Sequence, residues 1–257
     1  MGSYVLKSLF KYQGTSNLYC HSRLSSNIAS ALSPKTQNLF DGILDGNRAS
    51  LARGITLIES SLPSSQQEAR KLIEKIQKTS RNNATDTFRI GLSGPPGAGK
   101  STFIEIFGSF LTQNGHKVAV LAVDPSSSRT GGSLLGDKTR MTELSRNPRA
   151  YIRPSPNRGH LGGVARTTNE SILLCEACGY DIILVETVGV GQSEHLVSDM
   201  VDSLCLILPP AGGDELQGIK RGIIEQCDMV FINKCDGDLI PAANRTKAEY
   251  TSGDAKS

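Results

Sequence analysis

Apolar residues recur along this chain with two different spacings. Between residues 34 and 80 the spacing is helical. Ser33-Pro34 opens the first helix, with Ser33 as N-cap and Pro34 at the first helical position, and Leu39, Phe40, Ile43 and Leu44 follow. Asp45-Gly46-Asn47 interrupts the pattern. A second helix puts Leu51, Ile55, Ile58 and Leu62 on one face and stops near Pro63. A third runs from about Ser65 with Leu72, Ile73 and Ile76 on its apolar side, and Arg81-Asn82-Asn83-Ala84 reads as a linker.

From Thr87 onward, short unbroken apolar runs alternate with helical stretches. The runs at 87–92, 117–123, 149–153, 180–186, 203–208 and 228–233 read as strands. The segments near 100–114, 136–146, 164–178 and 214–226 read as helices. Runs so rich in Val, Ile and Leu imply strands buried on both faces. The pattern therefore predicts an α/β fold, a mostly parallel sheet with helices on both faces, preceded by a small N-terminal helical layer. Function in such a sheet sits at the carboxyl ends of the strands. The chain divides into a leader at 1–33, a helical segment at 34–83, an α/β domain at 84–240 and a tail at 241–257.

Composition narrows the classes. The 257 residues carry a net charge of +3 that is spread along the chain. No Lys/Arg cluster alternates with aromatics, so a nucleic-acid partner is not expected. No apolar run approaches the roughly 18 residues of a membrane span. The six cysteines (20, 175, 178, 205, 227, 235) lack a disulfide-framework spacing, which points to a reducing compartment.

The first 40 residues contain Lys7, Lys11, Arg23 and Lys35, many serines, and no acid before Asp41. Val5, Leu6, Leu9 and Phe10 beside Lys7 and Lys11 can form a short basic amphipathic helix. That is the make-up of a mitochondrial presequence and implies the mitochondrial matrix. A disordered tail without a targeting role, leaving the protein cytoplasmic, is the alternative. N-myristoylation is not expected, because Leu6 stands where the signal wants Ser or Thr.

The most specific chemistry lies between the first α/β strand and its helix. Gly94-Pro95-Pro96-Gly97-Ala98-Gly99-Lys100-Ser101-Thr102 fits G-x-x-x-x-G-K-[ST]. Backbone N–H groups of such a turn wrap a polyphosphate, and the helix N-terminus adds partial positive charge. Lys100 reaches the outer phosphates, and the Ser101 hydroxyl can ligate Mg²⁺. The fold class is thus that of a P-loop NTPase. The following helix places Phe103, Ile106, Phe107, Phe110 and Leu111 on one face.

A second motif names the base. The run Asp228-Met229-Val230-Phe231-Ile232 leads into Asn233-Lys234-Cys235-Asp236, the N-K-x-D pattern of guanine readers. The Asp236 carboxylate can accept from guanine N1–H and the exocyclic amine, whereas adenine offers neither donor. Unpaired acceptors would cost roughly 1–3 kcal/mol. The Lys234 stem would cover the ring face.

The remaining chemistry is more open. Asp124 ends the strand at 117–123 and reads either as a Mg²⁺ or water-network ligand or as the cap of the next turn. The glycine-bearing loop from Thr130 suits a segment that reorders with the nucleotide, and Asp137 in it is a second metal candidate. Tyr180 to Gly189 is a Walker B strand with a D-x-x-G-like end in which Glu186 replaces aspartate and can hold Mg²⁺ through water. Val190 stands where Ras-like GTPases place the glutamine that orients water, so intrinsic hydrolysis should be slow and depend on a partner. Lys220 or Arg221, after the flexible Gly212-Gly213, can act as a cationic finger or lie on a solvated helix face. Cys175-Glu176-Ala177-Cys178 reads as a packed helical face, with zinc or redox chemistry as the alternative.

Together these motifs resemble the methylmalonic aciduria type A and bacterial MeaB family of P-loop GTPases. The resemblance spans roughly residues 36–252. It rests on Gly94 to Thr102, Asp124-Pro125-Ser126-Ser127, Gly131 to Lys138, Glu186-Thr187-Val188-Gly189-Val190-Gly191-Gln192-Ser193-Glu194, Gly213 to Lys220 and Asn233 to Asp238. It implies a GTPase chaperone of methylmalonyl-CoA mutase that gates adenosylcobalamin loading and removal of damaged cofactor. The cobalamin belongs to the partner mutase; this chain would hold GTP or GDP with Mg²⁺. The resemblance also implies that the 213–221 loop becomes catalytic in the mutase complex, with Gln217 and Lys220 reaching the nucleotide. After Ser252 the family continues into a further strand, a second guanine-contacting loop and a helical arm that makes a homodimer. The expectation here is a C-terminally truncated form without that arm. Two other readings stand beside it: a metal-delivery GTPase of the nickel or cobalt type, and a nucleotide-binding fragment without turnover.

Overall fold

Val118–Val123 and Ser203–Leu208 form fully buried strands, as unbroken apolar runs require when helices cover both faces. The computed structural model describes residues 4–7, 31–80, 86–123, 141–154, 161–187, 197–210 and 221–252. Its strands are β1 (Tyr4–Lys7), β2 (Phe88–Ser93), β3 (Val118–Val123), β4 (Ala150–Pro154), β5 (Ile182–Thr187), β6 (Ser203–Leu208) and β7 (Met229–Ile232). They make one sheet in the order β1-β7-β6-β2-β5-β3-β4. Strands β2 to β7 are parallel, and β1 runs antiparallel along β7. Strand β2 lies between β5 and β6, so the chain order reverses around it. That is the switch point at which doubly wound sheets bind ligands.

One face is covered by α4 (Lys100–Gln113) and α5 (Thr142–Arg146), which enclose Leu92, Val118, Val120, Leu184 and Ile207. The other carries α1 (Pro34–Leu44), α2 (Arg48–Ile58), α3 (Pro63–Ser80) and α6 (Leu161–Ala177). Ile43, Leu51, Ile55, Leu72 and Ile76 pack with Leu121, Ile183 and Ile172 in one cluster. The N-terminal helices therefore share a core with the sheet. The Ser33 hydroxyl caps α1 by accepting from Thr36 N at 3.3 Å, and Asn47 caps α2 through Ala49 N and Ser50 N. The remaining helices are α7 (Arg221–Gln226) and α8 (Ile240–Ser252).

Three aspartates close the amino end of the sheet. Each stands one residue before a strand and clamps one residue of its parallel neighbour at both backbone groups. Asp228 donates its N–H to Leu204 O at 2.9 Å and accepts from Leu204 N at 2.8 Å. Asp202 does the same to Arg89, at 2.9 and 2.8 Å, and Asp181 to Lys117, at 3.1 and 2.6 Å.

Several expectations need correction. Helix α4 turns a different face inward: Ser101, Ile104, Gly108 and Thr112 are buried, while Ile106 and Phe110 are 50% and 58% exposed. The cause is Ser101, which must face the sheet. At about 100° per residue, Ile104, Gly108 and Thr112 follow it inward and Phe110 points away. Leu62 lies beyond the end of α2 and is 63% exposed, because α2 stops at Ile58 and Pro63 begins α3. Residues 4–7 form a strand, not the start of an amphipathic helix. Tyr4 and Val5 favour extended backbone, and a helix that short has too few hydrogen bonds to stand alone. Most of the segment read as a tail from 241 is helical: residues 240–252 form α8 with Ala243 and Thr246 buried.

Candidate nucleotide site

The P-loop hangs between β2 and α4 on glycines that other residues cannot replace. A Cβ on Gly94 would lie 2.1 Å from the Ile207 carbonyl oxygen of β6, so the loop can leave the sheet here only without a side chain. Gly99 caps α4 at φ 91°, a left-handed conformation, and no side chain caps the first turn of the helix. The N–H donors of that turn remain for an anion, which the helix dipole also favours. Lys100 is buried to 8% exposure, and its Nζ donates to Gly94 O at 2.7 Å and Pro95 O at 3.1 Å. The ammonium is thus held inside the loop that the phosphates would occupy.

Ser101 and Glu186 meet directly below this loop. Ser101 Oγ donates to Glu186 Oε1 at 3.2 Å, and both residues are nearly closed to solvent. A buried hydroxyl and a buried carboxylate beside a phosphate cradle form a hard oxygen donor set of the kind Mg²⁺ uses when phosphates supply the rest. Next to it, fully buried Thr187 donates to Leu92 O at 3.4 Å and ties β5 to β2.

The segment Asn233 to Asp236 follows β7 and is bonded to the P-loop. Asn233 Nδ2 donates to Ala98 O at 2.9 Å, and a Cβ on Gly99 would lie 2.4 Å from that same nitrogen. Asn233 therefore ties the segment after β7 to the P-loop. Lys234 adopts φ 56°, the one non-glycine left-handed residue among the described residues. Such a conformation costs about 1–2 kcal/mol. It is accompanied by a buried thiol: Cys235 Sγ donates to Ile232 O at 3.1 Å. Asp236 then presents an exposed carboxylate that makes no cap bond to the short helix it precedes. That carboxylate keeps its lone pairs for a ligand.

The structure thus gathers Gly94, Pro95, Pro96, Gly97, Ala98, Gly99, Lys100, Ser101 and Thr102, with Glu186 and Asn233, Lys234 and Asp236, along the carboxyl ends of β2, β5 and β7. Asp124, Asp137, Gly189, Gln217 and Lys220 lie outside the described residues. Cys175 and Cys178 are buried at the end of α6. Burial pushes the Cys175 thiol well above its usual range and Cys178 up to about 11, so both stay protonated, as a packed face requires. Among the described residues no group of three or more His, Cys, Asp or Glu side chains gathers as a metal site.

Comparison with known proteins agrees with this geometry. The model of a family described as methylmalonyl Co-A mutase-associated GTPase MeaB matches residues 51–256. A mouse protein named methylmalonic aciduria type A homolog, mitochondrial, is 56% identical over 98% of this chain and 63% of its own length. The Escherichia coli protein named GTPase ArgK is 54% identical over 75% of this chain and 57% of its own length. A crystal structure described as LAO/AO transport system kinase superposes with a TM-score of 0.70 at 38% identity, covering 87% of this chain and 65% of the other. The chain spans less than two thirds of the length of each of these relatives.

Proposed function

The chain belongs to the MeaB family of methylmalonyl-CoA mutase-associated GTPases, and on that premise we propose that it binds and hydrolyses GTP as a chaperone of that mutase. In this role it gates the loading of adenosylcobalamin onto the mutase and the removal of inactivated cofactor. The mitochondrial names of its animal relatives and its basic leader support work in the mitochondrial matrix. The bond from Asn233 to Ala98 carries the nucleotide reading, because it joins a guanine-reading carboxylate and a phosphate loop into one site.

Each residue has a defined task. The N–H groups at the start of α4 and the Lys100 ammonium bind the β- and γ-phosphates. Ser101 directly and Glu186 through water would hold Mg²⁺, which would offset phosphate charge. Asp236 accepts from guanine, and the Lys234 stem lies on the ring. In hydrolysis, water attacks the γ-phosphorus and the bond to the bridging oxygen breaks, giving GDP and phosphate. Asp124 and Asp137 would complete the metal and water network. Gln217 and Lys220 would supply catalytic polarity and charge once the mutase orders their loop.

The test is capture of methylmalonyl-CoA mutase by this chain in GTP and in GDP, with turnover followed in parallel. The proposal expects nucleotide-dependent capture and turnover stimulated by the mutase. Nucleotide binding without any turnover would favour a binding fragment instead.

A further inference from the structure

Away from the nucleotide, α1, α2 and the turn into α3 enclose an open groove of about 660 Å³. Its floor includes Leu39 and Leu57, its rim carries Lys35 from α1 and Arg53 from α2, and Ser60 and Ser65 line the end near the turn. Among the described residues the lining holds two cations and no carboxylate. Neither Lys35 nor Arg53 makes an ion pair among the described residues, although other charges of this layer do.

Of the acids in this layer, Glu59 and Glu68 are held in ion pairs, and Asp41 accepts from a side-chain amide. Glu59 pairs with Arg153 of β4 through both carboxylate oxygens, with Nε at 3.3 Å from Oε1. Glu68 accepts from Ser33 N at 3.1 Å and pairs with Lys71, and Asp41 accepts from Gln37 at 2.7 Å. The groove thus combines the Leu39 and Leu57 floor with two exposed cations, Lys35 and Arg53, that make no ion pair among the described residues. Leu62, 63% exposed in the turn beside Ser60, extends the apolar surface.

We infer that this groove is the docking surface for an acidic amphipathic helix of the partner mutase. The inference rests on the mutase being the partner, as proposed above. A helix laid in a groove brings apolar side chains at i, i+3 and i+4 to a floor such as Leu39 and Leu57. Carboxylates on its polar flank then meet Lys35 of α1 and Arg53 of α2, which sets orientation and association rate. A compact anion would use the rims and leave the leucine floor uncovered.

The groove is also tied to the catalytic end of the sheet. Thr56, in its lining, accepts from Arg153 Nη2 at 3.2 Å, and Arg153 lies next to the last residue of β4. Docking thus acts on helices bonded to the carboxyl end of the edge strand β4, two strands from β5 and its Glu186.

The test compares the parent with the double variant Lys35→Glu/Arg53→Glu, measuring mutase affinity by calorimetry at two salt concentrations. Melting temperature and GTP affinity serve as controls. Both side chains are exposed and make no ion pair among the described residues, so the fold should survive. The milder Lys35→Gln/Arg53→Gln pair repeats the measurement if it does not. The expected result is mutase affinity at least about tenfold weaker in the reversed variant, with a flatter salt dependence and unchanged GTP affinity. Equal mutase affinity in variant and parent would overturn the docking surface and leave the functional proposal standing. A parent that captures no mutase in either nucleotide state would overturn both. A change in self-association with mutase affinity unaltered would assign the groove to a second copy and overturn the inference.

Discussion

The two ends of the sheet use aspartate in opposite ways. At the amino end, Asp181, Asp202 and Asp228 spend their carboxylates on backbone N–H groups of the neighbouring strand. At the carboxyl end, Asp236 makes no cap bond and stays exposed. The backbone differs as well. Left-handed glycines occur at both ends, Gly115 and Gly179 beside the amino end and Gly97 and Gly99 at the carboxyl end, but among the described residues the one non-glycine in that conformation, Lys234, stands at the carboxyl end. One end is satisfied within the protein, and the other keeps donors and acceptors for a ligand. Residue type alone does not separate them; what each carboxylate touches does.

The comparison can be broken where the carboxyl end is packed most tightly. Gly94→Ala places a methyl 2.1 Å from the backbone oxygen of Ile207, and nothing there can turn aside. It should destabilise the protein by about 3 kcal/mol or more and abolish nucleotide binding. Urea denaturation of a variant as stable as the parent would show that the loop leaves the sheet differently.

Two substitutions should then separate binding from stability. Lys100→Ala should weaken GTP affinity by about 1.5–3 kcal/mol in calorimetry while the melting temperature hardly moves. Asp228→Ala should do the reverse. It removes the acceptor of a backbone N–H and should cost about 1–2 kcal/mol of stability with GTP affinity unchanged. If both variants lost affinity and stability together, the division between the two ends would not hold.

The smallest effect concerns α4. Phe110→Ser should change stability by no more than about 0.5 kcal/mol, because the ring is 58% exposed. A large loss in thermal denaturation would restore the face that hydrophobic spacing suggests.

That last case shows where sequence reading runs out. Strands β2 to β7 fall within two residues of the apolar runs that predict them, and both nucleotide motifs land at strand ends as expected. Such runs and motifs are local, so they are legible in one chain. The rotation of α4 is not local, since it follows from Ser101 meeting Glu186, 85 residues away. Counting apolar residues cannot weigh a buried hydroxyl against five exposed or half-exposed hydrophobes. The aspartate clamps were equally invisible, because a lone Asp before a strand looks like any turn residue. Asn233 could be assigned to the base, but its bond to Ala98 appears only when β7 and β2 are placed two strands apart with β6 between them.

The central claim is that the carboxyl end reads guanine through Asp236. The most direct measurement is the affinity ratio of GTP to XTP for the parent and for Asp236→Asn. Asparagine offers one donor and one acceptor where aspartate offers two acceptors, and the C2 carbonyl of xanthine can take that donor. The parent should prefer GTP, and the variant should shift its preference toward XTP while still binding triphosphate through the P-loop. A variant that prefers GTP as strongly as the parent would contradict the claim.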